Sequence, residues 1–180
     1  MFSSPIRLTG NHARILKKYS RPTSASAEKR EPFILLDTDG KKTTEEEVYI
    51  FDTLIECALN ATMLGIINNK KSQPDNSLNI DSTIFADILT KRNNDLERIF
   101  QHMVLSCYTE LDIDSRIKKA FGLHKEEEKK SDLENFLSYL RGGLEIIDEY
   151  FKDCETLENL YNKLIDFNND YSLDNLKWIK

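Results

Sequence analysis

Apolar residues recur at helical spacing over most of the chain beyond residue 43. In the first such segment they stand at every third or fourth position, which places them on one face of an α-helix: Val48, Phe51, Leu54, Ile55, Ala58, Leu59 and Ile66. Thr44 and Glu47 precede it with the spacing of a capping box, in which a hydroxyl and a carboxylate bind amide groups that a helix start leaves unpaired. The pattern predicts a core helix that ends within residues 65–71.

Further segments repeat this pattern, each with its own start signal: one opens at Asp81 or Ser82, one at Asn94, a short one at Asp114, a long one at the Ser131 and Glu134 capping box, and one at Thr156. Residues 68–79 contain a proline and no periodicity, which predicts a loop, and the charged residues 125–130 are typical of a solvated connection. Residues 77–81 can pair with the apolar residues 33–36 as a small ribbon. The predicted fold is mainly α, a compact bundle of five to seven helices with room for this N-terminal β-ribbon.

Two adjacent glycines interrupt the long helix. Gly142 and Gly143 together cost about 2 kcal/mol relative to alanine in a helix, so we expect them to allow a bend or the close approach of another backbone. Arg141 stands beside them, where the helix surface lacks side chains. We therefore take Arg141, Gly142 and Gly143 as a candidate partner-binding segment.

Composition narrows the class of protein. A chain of 180 residues with 39% hydrophobic content suits one domain with a sizeable core. No stretch approaches the ~20 apolar residues that cross a bilayer, and the first residues resemble no secretory signal, so we expect a cytoplasmic protein without membrane contact. Cys57, Cys107 and Cys154 lie far apart in amphipathic segments, which is typical of reduced core thiols.

Charge is distributed unevenly along the chain. The net charge is −6 and residues 1–30 carry +6, which leaves −12 for the remaining 150 residues. We predict a basic, flexible arm and linker over residues 1–31 and a single mainly helical domain over residues 32–180. The arm is either a solvated terminus or a phosphate-binding segment. Its candidate nucleic-acid-binding residues are Arg7, Arg14, Lys17, Lys18 and Arg21.

One short motif suggests catalysis. The apolar residues 33–36 run into Asp37-Thr38-Asp39-Gly40, and phosphatases of the haloacid dehalogenase type place two such aspartates after a strand. That chemistry also needs residues from later parallel strands, which the helical pattern does not supply, so we interpret the motif as a turn. A Mg²⁺-dependent phosphatase that uses Asp37 and Asp39 is the alternative. The scattered histidines and cysteines indicate no other catalytic, cofactor or metal site.

Two sequence segments resemble a known family: LSYLRGGLEIIDEYF at residues 137–151 and FADILTKRNNDLERIF at residues 85–100. Over residues 84–151 the chain resembles small helical accessory proteins encoded beside bacterial DNA-phosphorothioation (Dnd) systems. The opening FSSPIRLTGNHARILKKY is similar to the start of a small DNA-binding member of the same gene clusters. The resemblance implies a non-catalytic partner in DNA modification or in defence against phage, and it assigns no reaction.

These observations favour a non-enzymatic accessory or adaptor protein of a bacterial DNA-modification or anti-phage defence system. It would bind a larger protein of the same locus, with the basic arm near DNA, and would need no cofactor. Another alternative is an inhibitor or antitoxin-like protein-binding module whose acidic body mimics nucleic acid.

Overall fold

The computed structural model of the protein describes residues 2, 4–21, 49–122 and 126–171. The elements in these ranges are β1 (Ile6–Thr9), α1 (Gly10–Tyr19), α2 (Leu54–Ile67), β2 (Asp81–Ile84), α3 (Ala86–Lys91), α4 (Asn93–Cys107), α5 (Ile113–Ala120), α6 (Glu126–Phe151) and α7 (Leu157–Asp170). The prediction of a mainly α bundle is confirmed, with seven helices and one small sheet in the described part of the chain. None of the described helices is long and apolar enough to span a membrane.

Helices α2 and α6 form the centre of the fold because glycines let their backbones meet. A Cβ atom at Gly143 would overlap the carbonyl oxygen of Ala61 in α2, and a Cβ atom at Gly65 would overlap the carbonyl oxygen of Tyr139 in α6. Gly142 faces the carbonyl oxygen of Lys70 in the same way. The close backbone approach predicted at the double glycine is therefore confirmed.

The sheet is an antiparallel ribbon of β1 and β2, in which Ile6 pairs with Ile84 and Thr9 with Asp81. Side chains alternate along both strands, so Leu8 and Ser82 are buried while Arg7 is exposed. A small ribbon is present, but it pairs residues 6–9 with 81–84 instead of residues 33–36 with 77–81, and the expected strand at residues 33–36 lies outside the described residues. Residues 81–84, expected to open a helix, form β2.

Residues 2 and 4–21 contribute to the core. Buried apolar side chains from this region are Phe2, Ile6, Leu8, Ala13, Ile15, Leu16 and Tyr19. They follow strand alternation in β1 and helical spacing in α1. Each element therefore has an apolar face that packs into the core and an outer face that carries the basic residues. The prediction of a flexible arm is wrong for residues 4–21, and residues 22–31 lie outside the described ranges.

Side-chain caps mark three of the helix starts. Thr53 accepts a hydrogen bond from the amide of Glu56, Asp112 from that of Ser115, and Thr156 from that of Asn159. Only Thr156 is a cap that the sequence predicts; the box at Thr44 and Glu47 lies outside the described residues. α6 begins at Glu126, before the predicted cap Ser131, so residues 126–130 continue the helix.

The loop of residues 68–79, predicted as such, joins α1 to the α2 and α6 pair. The amide of Ser72 donates to the carbonyl oxygen of Ser138 at 3.0 Å. At the other end Asp75 accepts from the amide of Asn11 at 2.8 Å, which caps α1, and its carbonyl accepts from the Thr9 hydroxyl at 2.7 Å. The loop thus fixes the start of α1.

Candidate functional site

Helices α1 and α6 meet through a charged interface. Asp148 of α6 accepts a hydrogen bond from the Tyr19 hydroxyl at 2.8 Å. The same carboxylate lies 3.4 Å from Nη2 of Arg14 and 3.7 Å from Nζ of Lys18. Asp148 therefore holds Arg14 and Lys18, two of the candidate nucleic-acid-binding residues, against the body of the protein.

The other candidate basic residues lie at the edges of this region. Arg7 is exposed on β1, with Nη2 3.0 Å from Asp81 on the paired strand. Arg21 is exposed after α1, with Nη2 3.5 Å from Asp52. Lys17 is half-buried on α1. The structure distributes these side chains over β1, α1 and the residue that follows Ser20, and it does not gather them into a flexible basic segment.

Glu145 is the second acidic contact of α6 with α1. Its Oε1 atom lies 3.1 Å from Nε2 of the buried His12 and accepts from the Ser72 hydroxyl at 2.5 Å, while Oε2 lies 3.4 Å from Nζ of Lys70. Burial alone would raise the pKa of the Glu145 carboxyl, but the hydrogen bonds from Ser72 and His12 and the ammonium of Lys70 outweigh it and lower that pKa. Ser72 and His12 contact the same oxygen, so this cluster joins α1, α6 and the loop.

The candidate partner-binding segment lies inside the fold. Arg141, Gly142 and Gly143 are all buried. The backbone that approaches the glycines belongs to this same chain, to α2 and to residue Lys70. Nε of Arg141 donates to the carbonyl oxygen of Ser72 at 2.9 Å. Their assignment as a partner-binding surface is corrected accordingly: the contact that glycines permit is intramolecular.

An exposed apolar surface occurs instead on α5. Ile113, Ile117 and Phe121 follow each other at four-residue intervals and are 66%, 45% and 61% exposed. Leu105 of α4 lies next to this helix, since its carbonyl oxygen accepts from Nη1 of Arg116 at 2.8 Å, and it is 37% exposed. We call Leu105, Ile113, Ile117 and Phe121 the α5 apolar face. Ala120 is the single buried residue of α5.

The sequence predicted the short helix but not its exposure. Ile117, Ala120 and Phe121 match an inward-facing pattern, and nothing local shows that only Ala120 reaches the core. The i, i+4, i+8 spacing of Ile113, Ile117 and Phe121 is the signal that marks them as one surface.

The remaining candidates concern catalysis and metals. Asp37 and Asp39 lie outside the described residues. Within the described ranges, no three His, Cys, Asp or Glu side chains come together as a metal ion would require. All three cysteines are free; Cys57 and Cys154 are buried and Cys107 is half-buried. Burial raises the pKa of the Cys57 thiol to about 12.

Comparison with known proteins gives no relative: no family model, no curated protein and no solved structure matches the chain.

Proposed function

We propose that the protein is a non-enzymatic accessory protein that binds a helical segment of a larger protein through the α5 apolar face. The observation that carries this proposal is that α5 turns its large apolar residues outward while Ala120 alone is buried. A surface helix of a monomer normally turns its apolar stripe toward the core. The stripe of α5 faces outward and lacks a partner among the described residues.

The size of the face supports a helix as its occupant rather than a second copy. Each of its four side chains exposes roughly 100 Å², so the face totals roughly 400 Å², within the range of functional patches on monomers. A stable interface between two proteins needs roughly 800 Å² from each, which this face does not reach. An amphipathic helix that presents apolar residues every three or four positions fits such a narrow stripe.

The exposed stripe on α7 is a weaker candidate. Leu157, Tyr161 and Ile165 are exposed at the same spacing. However, α7 also packs inward, because Leu160 is buried and the rings of Phe167 and Tyr150 lie 5.2 Å apart. α5 has no comparable inward aromatic contact among the described residues, so most of its apolar content is available to a partner.

Membership of a bacterial DNA-modification or defence locus is part of the proposal and is supported by the sequence resemblance alone. The hypothesis that the N-terminus contacts DNA depended on a flexible basic arm over residues 1–31. Residues 4–21 form β1 and α1 and pair several of their cations with Asp148 and Asp81, so they offer less support for DNA contact. Asp37 and Asp39 remain the residues of the phosphatase alternative.

The test is capture of a partner by affinity-tagged protein from the native host, with two matched variants. Ile113→Ser combined with Ile117→Ser is expected to abolish capture, whereas Leu157→Ser combined with Tyr161→Ser on α7 is expected to retain it. A photo-cross-linking residue in place of Ile113 should then attach to a helical segment with an apolar face. Since apolar contact drives binding, capture should survive an increase from about 0.1 to about 0.5 M salt.

Several outcomes would contradict the proposal. Equal capture by the α5 variant, or no specific capture, would exclude the α5 apolar face. Self-association that the α5 variant abolishes would make a second copy the occupant. Capture of a basic protein, or DNA binding, that disappears at the higher salt would favour the acidic mimic or the basic N-terminus instead.

A further inference from the structure

A polar cleft of about 960 Å³ lies between the end of α4, α5, the first half of α6 and residues 71–73. Its volume falls within the range of small-molecule sites. Four cations, Lys71, Lys118, Lys119 and Arg141, and four carboxylates, Glu110, Glu128, Asp132 and Glu134, line it. These charges balance, so the cleft as a whole favours neither anions nor cations, and recognition of a charged ligand depends on individual groups.

One wall is held together by its own contacts. The carboxylate of Asp132 is buried, accepts from the Tyr108 hydroxyl at 2.9 Å and lies 2.8 Å from Nζ of Lys119. Nζ of Lys119 also lies 3.0 Å from Glu128. The side-chain amide Nδ2 of Asn135 donates to the Tyr108 hydroxyl at 3.0 Å. Burial opposes the charge of Lys119, but Asp132 and Glu128 outweigh it and raise its pKa. This wall keeps its ion pairs and offers fixed hydrogen-bonding groups to a ligand.

The same cleft also contains a buried cation with an exposed counter-ion, both on α6. The side chain of Arg141 is 6% exposed, and its Nη2 pairs with Glu134, whose side chain is 58% exposed. A guanidinium removed from water needs an anion, and here the anion comes from a side chain that solvent reaches freely. Because solvent already reaches the Glu134 carboxylate, this side chain can turn into water when another anion takes its place on Arg141, and the buried guanidinium stays paired. Ser72 holds Nε of Arg141 in place when that happens.

We propose that this cleft binds a small organic anion whose carboxylate or phosphate group takes the place of the Glu134 carboxylate on Arg141. Guanidinium groups bind both kinds of anion through paired hydrogen bonds. Lys71 lines the same cleft, with its Nζ 4.8 Å from the centre of the Tyr139 ring, and it adds a second positive charge. Tyr108, Asp132 and Asn135 line the rest of the cleft.

The test is isothermal titration calorimetry of the full chain at low salt with three probes: inorganic phosphate, adenosine 5′-monophosphate and succinate. Saturable binding of at least one probe is expected, and the comparison of the three separates phosphate from carboxylate recognition. Glu134→Gln removes the competing anion and should tighten binding about threefold to fivefold, the factor that release of a partly exposed ion pair allows. Glu128→Gln is the matched control, because it removes a carboxylate of the same cleft that pairs with Lys119 and not with Arg141. It should not tighten binding comparably.

Three outcomes would overturn the inference. The first is that neither the native chain nor the Glu134→Gln variant binds any probe saturably. The second is that Glu134→Gln leaves the affinity unchanged, and the third is that Glu128→Gln tightens binding equally. Equal tightening would mean that only the overall charge matters. Circular dichroism melts of both variants check that they fold, which is expected because the altered side chains of Glu134 and Glu128 are 58% and 48% exposed.

Discussion

Replacement of Gly143 by alanine tests the contact at the centre of the fold. In an exposed helix this substitution stabilises by about 1 kcal/mol, because alanine loses less backbone freedom than glycine. Here the added methyl group would overlap the carbonyl oxygen of Ala61, a backbone atom that no side-chain rotation can move away. Overpacking costs about 1–3 kcal/mol in typical cores, and a rigid backbone neighbour places this site at the upper end or beyond. We expect a net loss of about 2 kcal/mol or more.

The assay is urea unfolding followed by circular dichroism, with a thermal melt beside it. For a domain of this size a loss of about 2 kcal/mol lowers Tm by about 4–8 °C. Ser131→Ala, at an exposed position of the same helix, is the control and should leave stability unchanged or raise it slightly. If Gly143→Ala is as stable as the native chain, α2 and α6 do not approach at this residue and the packing described above is wrong.

Two further predictions use the titrating groups. The pKa of Glu145 is lower in the folded chain than its ordinary value near 4.5, so its contacts stabilise the fold above that pH and are lost as pH falls through the folded value. Glu145→Gln should therefore unfold at lower urea than the native chain at neutral pH, and the gap should close as pH falls below the ordinary value near 4.5; a constant gap would contradict the assignment. The buried Cys57, with its pKa raised to about 12, should react with a thiol reagent at pH 8 only as fast as the chain unfolds, whereas the half-buried Cys107 should react sooner. Equal rates, measured by mass spectrometry of peptides, would exclude the burial of Cys57.

The helical bundle could be predicted because local signals agree with its packing. The stripe of Phe136, Leu140, Leu144 and Ile147 and the cap at Thr156 both identify elements without knowledge of neighbours. Gly142 and Gly143 also indicated a close backbone contact from local sequence alone. Glycine lowers the stability of a helix, so two glycines in a stable helix indicate that packing offsets this cost.

The N-terminal region and the candidate sites needed information that the local pattern lacks. The net charge of residues 1–30 suggests a solvated segment. It does not reveal that Ile6 and Leu8 alternate as in a strand or that Ile15 and Tyr19 have helical spacing, and all four are buried. Asp148 lies more than a hundred residues away along the chain, so its ion pair with Arg14 could not be predicted from spacing. The exposure of Ile113 depends in the same way on which elements fold beside it.

The irregular segment between α2 and β2 has a practical consequence for anyone who engineers this protein. Loops of a dozen polar residues with a proline are the usual choice for inserting an epitope tag or a protease site. Here Ser72 and Asp75 each bind a different helix, and the carbonyl of Lys70 closes against Gly142. An insertion between Lys70 and Asp75 would separate these attachments and release the beginning of α1, so labels belong elsewhere on the surface.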